Sequence, residues 1–139
     1  MSDIDERLTR QTREGIPFAS VLGVDVFSVT PEEIRARVGW QPDRCTSDGA
    51  LHGGVFMGLA DVCGGMSAFL NLPEGSIGTT TIESKTNFLA AVRGGAINSV
   101  TTPLHRGRST IVAVTDLFDD DGRLVGRVTQ TQAVLQPRS

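Results

Sequence analysis

The sequence predicts an α+β fold in which one antiparallel sheet wraps around a single long, buried helix. Residues 51–72 are apolar on almost every side and contain one carboxylate, Asp61. Two strand-like runs precede this segment, and the sixty or so residues after it read as strand throughout. A helix that is apolar all round must be covered on most sides. A curved sheet, with a second subunit closing the remainder, would provide that cover.

Composition sets limits on the class of protein. The chain has 139 residues, enough for one domain with a single core, and its net charge of −3 argues against non-specific nucleic-acid binding. Cys45 and Cys63 have no metal-site spacing, and we expect no disulfide between them. The N-terminus lacks a basic head followed by an apolar run, so the sequence predicts a cytoplasmic protein without a signal peptide. Residues 51–72 could span a bilayer by length, but five glycines, His52 and Asp61 argue against a membrane segment.

The elements follow in order from local patterns. Residues 3–14 are polar with weak helical spacing, which favours a short surface helix ended by Gly15 and Pro17. We therefore treat 1–14 as an N-terminal helical segment and 15–139 as the main domain.

Six runs have the composition or alternation of strands, and Asp-Asp-Asp-Gly at 119–122 is a strong hairpin turn. The expected order is a hairpin, the long helix over about 53–70, and a four-strand meander. The predicted strands are 24–29, 34–38, 77–88, 95–104, 109–118 and 124–135.

The apolar helix carries the candidate chemistry. An unpaired carboxylate in an apolar setting loses hydration worth several kcal/mol, so Asp61 needs a use or a hidden partner. The segment opens with His52, Gly53 and Gly54, and free N–H groups at a helix start can hold a developing negative charge. The N–H of Gly53 or Gly54 would act as an oxyanion hole. The combination predicts an acyl-transfer site.

Two features beside Asp61 leave alternatives open. Gly58, Gly64 and Gly65 lie three or four residues from Asp61, which indicates close packing by a ligand or by a partner helix. His52 has the chemistry of a general base, a metal ligand or a structural residue. No second histidine or carboxylate stands at metal spacing, so we expect no metal and favour a histidine that orients the turn.

The run from Leu51 to Asp61 resembles the His-Gly-Gly…Asp signature of the hotdog-fold thioesterases, specifically the PaaI-like, phenylacetate-pathway type. The resemblance covers about residues 15–135. It implies a sheet wrapped around a central helix, subunits joined edge to edge in a homodimer or homotetramer, and active sites at the dimer interface. The Gly53 N–H would bind the thioester carbonyl oxygen, and Asp61 of the other subunit would act as nucleophile or general base. Thr81 falls where relatives carry a hydroxyl that helps to hold the attacking water.

The chain departs from the family pattern in the loop before the His-Gly-Gly, and the resemblance also implies a binding site for the coenzyme A phosphates. Many relatives place an asparagine in the loop before the His-Gly-Gly, where this chain offers Thr46 or Asp48. The family's coenzyme A phosphates lie near the turn that holds Arg106, Arg108 and Ser109 here. Arginines suit phosphates because they pair in a bidentate way, although a solvated basic turn is the alternative.

The sequence therefore predicts a thioesterase that hydrolyses an acyl- or aryl-CoA to the free acid and coenzyme A. Asp61, Gly53, His52 and Thr81 would form the catalytic group. Coenzyme A is part of the substrate, and no metal, redox cofactor, nucleic acid or membrane is implied. Two alternatives use the same fold: an enoyl-thioester hydratase or dehydratase, and a non-catalytic acyl-CoA-binding module.

Overall fold

The computed structural model describes residues 3–138 and confirms the α+β architecture. One six-stranded antiparallel sheet curves around one long helix, and two short helices precede the first strand. The helices are α1 (Glu6–Gly15), α2 (Pro17–Leu22) and α3 (Gly53–Leu70). The strands are β1 (Val24–Val29), β2 (Ile34–Gly39), β3 (Gly78–Phe88), β4 (Ala96–Arg106), β5 (Thr110–Phe118) and β6 (Leu124–Leu135).

The strand order is β1-β2-β4-β5-β6-β3, so the expected four-strand meander is wrong for β3. Only β4, β5 and β6 form a meander, while β3 pairs with β6 at one edge of the sheet. The connection over residues 89–95 must cross three strand spacings, about 14 Å. Seven extended residues reach about 23 Å. The connection is therefore long enough to carry β4 to the far side of β5.

Helix α3 packs against the concave face of the sheet, but the sheet does not surround it. Leu59 and Ala60 are fully buried, whereas Met57, Asp61 and Phe69 lie on an exposed stripe of the same helix. The single chain therefore leaves one side of α3 uncovered, as expected, because one sheet covers a helix from one side only. By length and composition α3 could also cross a membrane, yet half of it is buried in this domain, as in the core helix of a soluble fold.

The N-terminal helix α1 packs against strand β1 of the sheet. The Thr9 hydroxyl accepts a hydrogen bond from the Val26 N–H at 2.9 Å, and the Arg13 guanidinium pairs with Asp25 at 2.9 Å. Thr9 is buried by this packing. Helix α1 ends at Gly15 and α2 begins two residues later at Pro17, so the predicted boundary at residue 14 falls at the end of a packed helix.

The glycines of α3 are mostly explained by packing within the chain itself. A Cβ on Gly58 would lie 2.9 Å from the Leu22 side chain, and a Cβ on Gly64 would overlap the Gln130 amide. Only Gly65 faces open space. The expectation that a ligand or partner helix packs on all three is therefore wrong for Gly58 and Gly64.

Candidate active site

The start of α3 leaves one backbone amide free. His52 is the N-cap residue, and its Nδ1 accepts a hydrogen bond from the Gly54 N–H at 2.8 Å. An imidazole that accepts at Nδ1 carries its hydrogen on Nε2. The Gly54 N–H is engaged by this contact and is not open to a substrate. Among residues 3–138 the Gly53 N–H has no acceptor, so it is the amide that can bind a developing oxyanion.

An apolar groove of about 400 Å³ adjoins Gly53. A Cβ at position 53 would lie 3.0 Å from the Phe88 ring, which packs edge-on against Phe56 with centroids 5.7 Å apart. Phe88 and Leu89 are half exposed in the groove, whereas Phe56 belongs to the core. Glycine at position 53 thus lets the helix start lie directly against this aromatic wall.

The loop before α3 is held by Asp48. Its carboxylate accepts hydrogen bonds from the Thr46 hydroxyl, from the Arg93 guanidinium at 2.9 Å and from the Ala50 N–H at 3.3 Å. These donors, with Thr46 first, lower the pKa of Asp48 to about 2. Thr46 and Asp48 therefore close the loop onto the β3–β4 connection, and neither offers a free amide like the family's asparagine.

Asp61 lies on the exposed stripe of α3 and is held through one oxygen. Its Oδ1 accepts from the Thr81 hydroxyl at 3.0 Å and from Gln130 Nε2 at 3.3 Å. No residue in the described range 3–138 donates to Oδ2. The carboxylate is thus fixed at one oxygen and open at the other. The expectation of a buried, isolated carboxylate is wrong, because Asp61 is exposed and hydrogen-bonded.

Thr81 is itself oriented by a second glutamine. Gln132 Nε2 donates to the Thr81 hydroxyl oxygen at 2.6 Å, and Gln132 Oε1 accepts from the Thr79 hydroxyl at 3.0 Å. The single hydroxyl hydrogen of Thr81 therefore points to Asp61. Thr81 can still meet a water, but as an acceptor. Its strand has a bulge between Thr81 and Glu83, a feature common beside active sites.

Sequence reasoning missed Gln130 and Gln132. Both are 1% exposed and lie on the inner face of β6, in register between Val128 and Val134. The alternation of β6 contains the signal, because two amides occupy positions where a half-buried strand normally has apolar residues.

A cleft of about 900 Å³ opens beside Asp61. It lies between α1, the second half of α3 and the start of β3, and among residues 3–138 Asp61 is its only ionisable lining residue. Met66 and Phe69 form its apolar wall on α3, and Gln11 and Thr12 of α1 close the opposite side.

The basic turn connects the end of β4 to the start of β5. Arg106, Arg108 and Ser109 are exposed, and within residues 3–138 neither guanidinium has an ion-pair partner. A Cβ on Gly107 would lie 2.8 Å from the Thr110 carbonyl oxygen, so the turn between the two arginines requires glycine. None of these three residues lines the cleft beside Asp61 or hydrogen-bonds to Asp61.

Gly53 and Asp61 of one chain cannot act on the same carbonyl. Eight residues separate them on α3, which is about 12 Å along the helix axis. A reacting carbonyl must lie about 3 Å from both an oxyanion donor and the attacking group. One chain supplies both kinds of group, but at two separate places.

Similar proteins of known family indicate the superfamily of this chain. The sequence profile of the thioesterase superfamily matches residues 48–126, which include His52, Gly53, Asp61 and Thr81. Thioesterase PA1618 of Pseudomonas aeruginosa is 31% identical over 136 residues, which are 96% of this chain and 92% of that protein. A mutant of it superposes with a TM-score of 0.85 at 25% identity, covering 94% of each chain.

Two further proteins are similar. Thioesterase HI1161 of Haemophilus influenzae superposes with a TM-score of 0.84 at 25% identity, covering 98% of this chain and 93% of that one. The 1,4-dihydroxy-2-naphthoyl-CoA hydrolase of Escherichia coli is 33% identical over 87 residues, 63% of each chain. The resemblance predicted from the His-Gly-Gly…Asp signature is thus confirmed at the level of the superfamily, and this chain belongs to the thioesterase superfamily and has its hotdog fold.

Proposed function

We propose that this protein is an acyl-CoA thioesterase that hydrolyses an acyl- or aryl-CoA to the free acid and coenzyme A. The observation that carries the proposal is the half-engaged carboxylate of Asp61, fixed at Oδ1 and open at Oδ2. The E. coli relative, a CoA-thioester hydrolase by name, supports the same substrate class.

In the proposed reaction, Oδ2 of Asp61 takes a proton from a water as that water attacks the thioester carbonyl carbon. Negative charge then develops on the carbonyl oxygen, where the Gly53 N–H at the start of α3 stabilises it. Collapse of the tetrahedral intermediate breaks the C–S bond, and the coenzyme A thiolate takes up a proton. Direct attack by Oδ2 would instead give an acyl–Asp61 anhydride that water hydrolyses to the same products. Neither route requires a metal or redox cofactor.

The contacts of His52 favour hydrolysis over hydration. A hydratase needs an imidazole that can accept a proton from substrate or water. The Nδ1 of His52 is engaged by the Gly54 N–H, and its Nε2 carries the hydrogen. His52 therefore orients the turn.

We propose that each site combines two copies of this chain, in a homodimer or homotetramer. The 12 Å between Gly53 and Asp61 along one helix supports this proposal, since in a dimer with a second α3 facing the exposed stripe the partner's helix start would supply the oxyanion donor. The outer edge of β3 supports the same arrangement, because an 11-residue edge strand with exposed Ile82 is a template for pairing with another chain.

The acyl group would lie in the cleft beside Asp61. Since Asp61 is the only ionisable lining residue in the part of the chain that the structure describes, these residues offer no counter-ion to an anionic acyl group. The substrate class that it suits is a neutral acyl or aryl group. The cellular location that we propose is the cytoplasm, as the sequence predicts.

The nucleotide end of coenzyme A would bind at the turn of Arg106, Arg108 and Ser109. Ala113, the cross-strand partner of Gln130, lies three residues from Thr110, where β5 begins, which is about 10 Å at 3.4 Å per residue, and Arg108 lies beyond that end of the strand. This separation supports the proposal, because coenzyme A is a long ligand with its thioester at one end and its phosphates at the other.

Changing Asp61 to Asn should abolish turnover and leave the fold intact. Asparagine keeps the size of the side chain but can neither attack a carbonyl nor accept a proton, so kcat should fall about 10²–10⁴-fold. Thiol release from acyl-CoA measures the rate, and circular dichroism checks the fold. A folded Asp61→Asn variant that retains more than about a tenth of the kcat would refute the role.

Mixing two inactive variants should restore activity if Gly53 and Asp61 come from different chains. Gly53→Pro removes the N–H at the first helical position, where the backbone tolerates proline, and its Cβ requires the half-exposed Phe88 ring to shift by a few tenths of an ångström. After an equimolar exchange of subunits with Asp61→Asn, half of the dimers are mixed and each has one intact site, so about a quarter of the activity should return. Native mass spectrometry verifies the exchange of subunits. If the mixture is then no more active than the separate variants, the result would contradict a shared site.

Replacing Arg106 and Arg108 together by Ala should raise KM for the CoA thioester with little change in kcat. Groups that bind ground state and transition state alike affect KM alone. Hydrolysis of an N-acetylcysteamine thioester, which lacks the nucleotide, serves as the control and should be unchanged. Equal loss on both substrates would make the arginines structural, and no loss on either would place the nucleotide elsewhere.

Neutral acyl groups should be hydrolysed faster than anionic ones of similar length. We expect kcat/KM for butyryl-CoA to exceed that for succinyl-CoA by about tenfold or more. An uncompensated charge that raises the barrier by about 1.4 kcal/mol is enough for a tenfold ratio. A thiol-release assay across paired neutral and dicarboxylic acyl-CoAs measures the ratio. A preference for succinyl-CoA would show that the acyl group does not lie in this cleft.

A further inference from the structure

The inner face of β6 carries a polar pair that packing alone does not explain. Gln130 and Gln132 replace apolar residues between Val128 and Val134, and both are 1% exposed. A buried amide is unfavourable unless its donors and acceptors are paired. Gln132 is paired at both ends, to Thr81 and Thr79. Gln130 is not, because its Oε1 is buried without a hydrogen-bond partner within the described residues.

The single paired group of Gln130 is the one that reaches Asp61. Its Nε2 donates to Oδ1, the same oxygen that accepts from Thr81. A carboxylate that accepts two hydrogen bonds at one oxygen, from two different strands, has its rotation fixed. Its other oxygen, Oδ2, is then turned away from both strands.

The helix makes room for this amide at Gly64. A Cβ at that position would overlap the Gln130 amide, so any larger residue would displace it. Glycine is also among the poorest residues for a helix interior. Two locally unfavourable choices, a buried glutamine and a glycine in the middle of α3, thus meet at one contact beside Asp61.

We propose that Gln130 is a positioning residue for Asp61, that Gly64 provides the space it needs, and that Oδ2 of Asp61 is the reacting oxygen. The proposal rests on the proposed thioester hydrolysis and adds to it the residue that aims the carboxylate. Gln130 lies behind Oδ1 and does not touch the substrate. Its loss should therefore affect the chemical step and leave binding unchanged, since small misplacements of a reacting group can cost about 10² in rate.

The test compares Gln130→Met with wild type and with Val134→Ala. Methionine is unbranched and similar in length, so it keeps the packing and removes the donor. Val134 lies on the same face of β6 in a separate core cluster with Ala68 and Ile111, and its truncation controls for loss of core packing. We expect Gln130→Met to lower kcat about tenfold or more, with Kd for a non-hydrolysable acyl-CoA thioether within about threefold of wild type. Val134→Ala should keep the wild-type kcat at temperatures where it is folded.

A second variant covers the case in which Gln130→Met does not fold. Gly64→Ala removes no polar group and favours the helix, but its methyl group displaces the Gln130 amide. It should lower kcat about fivefold or more without loss of thermal stability. A wild-type kcat in folded Gly64→Ala or in folded Gln130→Met would overturn the proposal.

The Asp61→Asn background separates positioning from structure. If Gln130 acts only through Asp61, adding Gln130→Met to Asp61→Asn should not slow the residual reaction further. A further loss, or a parallel loss of thioether binding, would make Gln130 a structural residue and overturn the proposal. Retained activity in Asp61→Asn alone would instead refute the proposed function, so the two failures are distinguishable.

Discussion

The structure depends on how one sheet covers one helix. Six strands curve around α3 and bury Leu59, Ala60 and their neighbours, but a sheet approaches a helix from one side only. The stripe from Met57 through Asp61 to Phe69 is left open. The same geometry leaves β3 with an unpaired edge, since its only neighbour is β6. The two open surfaces are adjacent and contain the candidate catalytic carboxylate. The face of the chain that one sheet leaves uncovered is therefore also the face of the candidate active site.

Within that face, polarity follows from position in the sheet. Strand β6 lies between β5 and β3, and its inner face packs against the middle of α3, where Gly64 contacts Gln130. Two amides on this face orient the Asp61 carboxylate, Gln130 by a direct hydrogen bond and Gln132 through Thr81. Because carboxylates only accept and amide nitrogens only donate, the direction of each hydrogen bond is determined. The result is a carboxylate of fixed orientation on an otherwise apolar helix.

At the other end of the exposed stripe, the helix start is arranged by different means. His52 caps the first turn and engages the Gly54 N–H, which leaves the Gly53 N–H as the free amide. Asp48 and Arg93 tie the preceding loop to the β3–β4 connection, and so fix the direction in which α3 begins. The side chains near Gly53 are apolar, whereas those near Asp61 are uncharged but partly polar. These two environments suit an oxyanion donor and a hydrolytic carboxylate, respectively.

The sequence by itself determined the helix, the strands and the residues with chemistry. Period-2 alternation and turn residues predicted β1, β2, β5 and β6 nearly to the residue, and the His-Gly-Gly…Asp spacing indicated the superfamily. These features are local, because each depends on neighbours within a few positions. The tertiary structure alone decided that β3 pairs with β6, since strand order depends on long-range pairing that no local pattern records.

The tertiary structure also decided that Asp61 is exposed and hydrogen-bonded at Oδ1. It decided as well that position 64 must be glycine, because the Gln130 amide lies where a Cβ would be. Sixty-nine residues separate Asp61 from Gln130 along the chain. Only the packing of α3 onto β6 turns a buried glutamine and a surface carboxylate into one site.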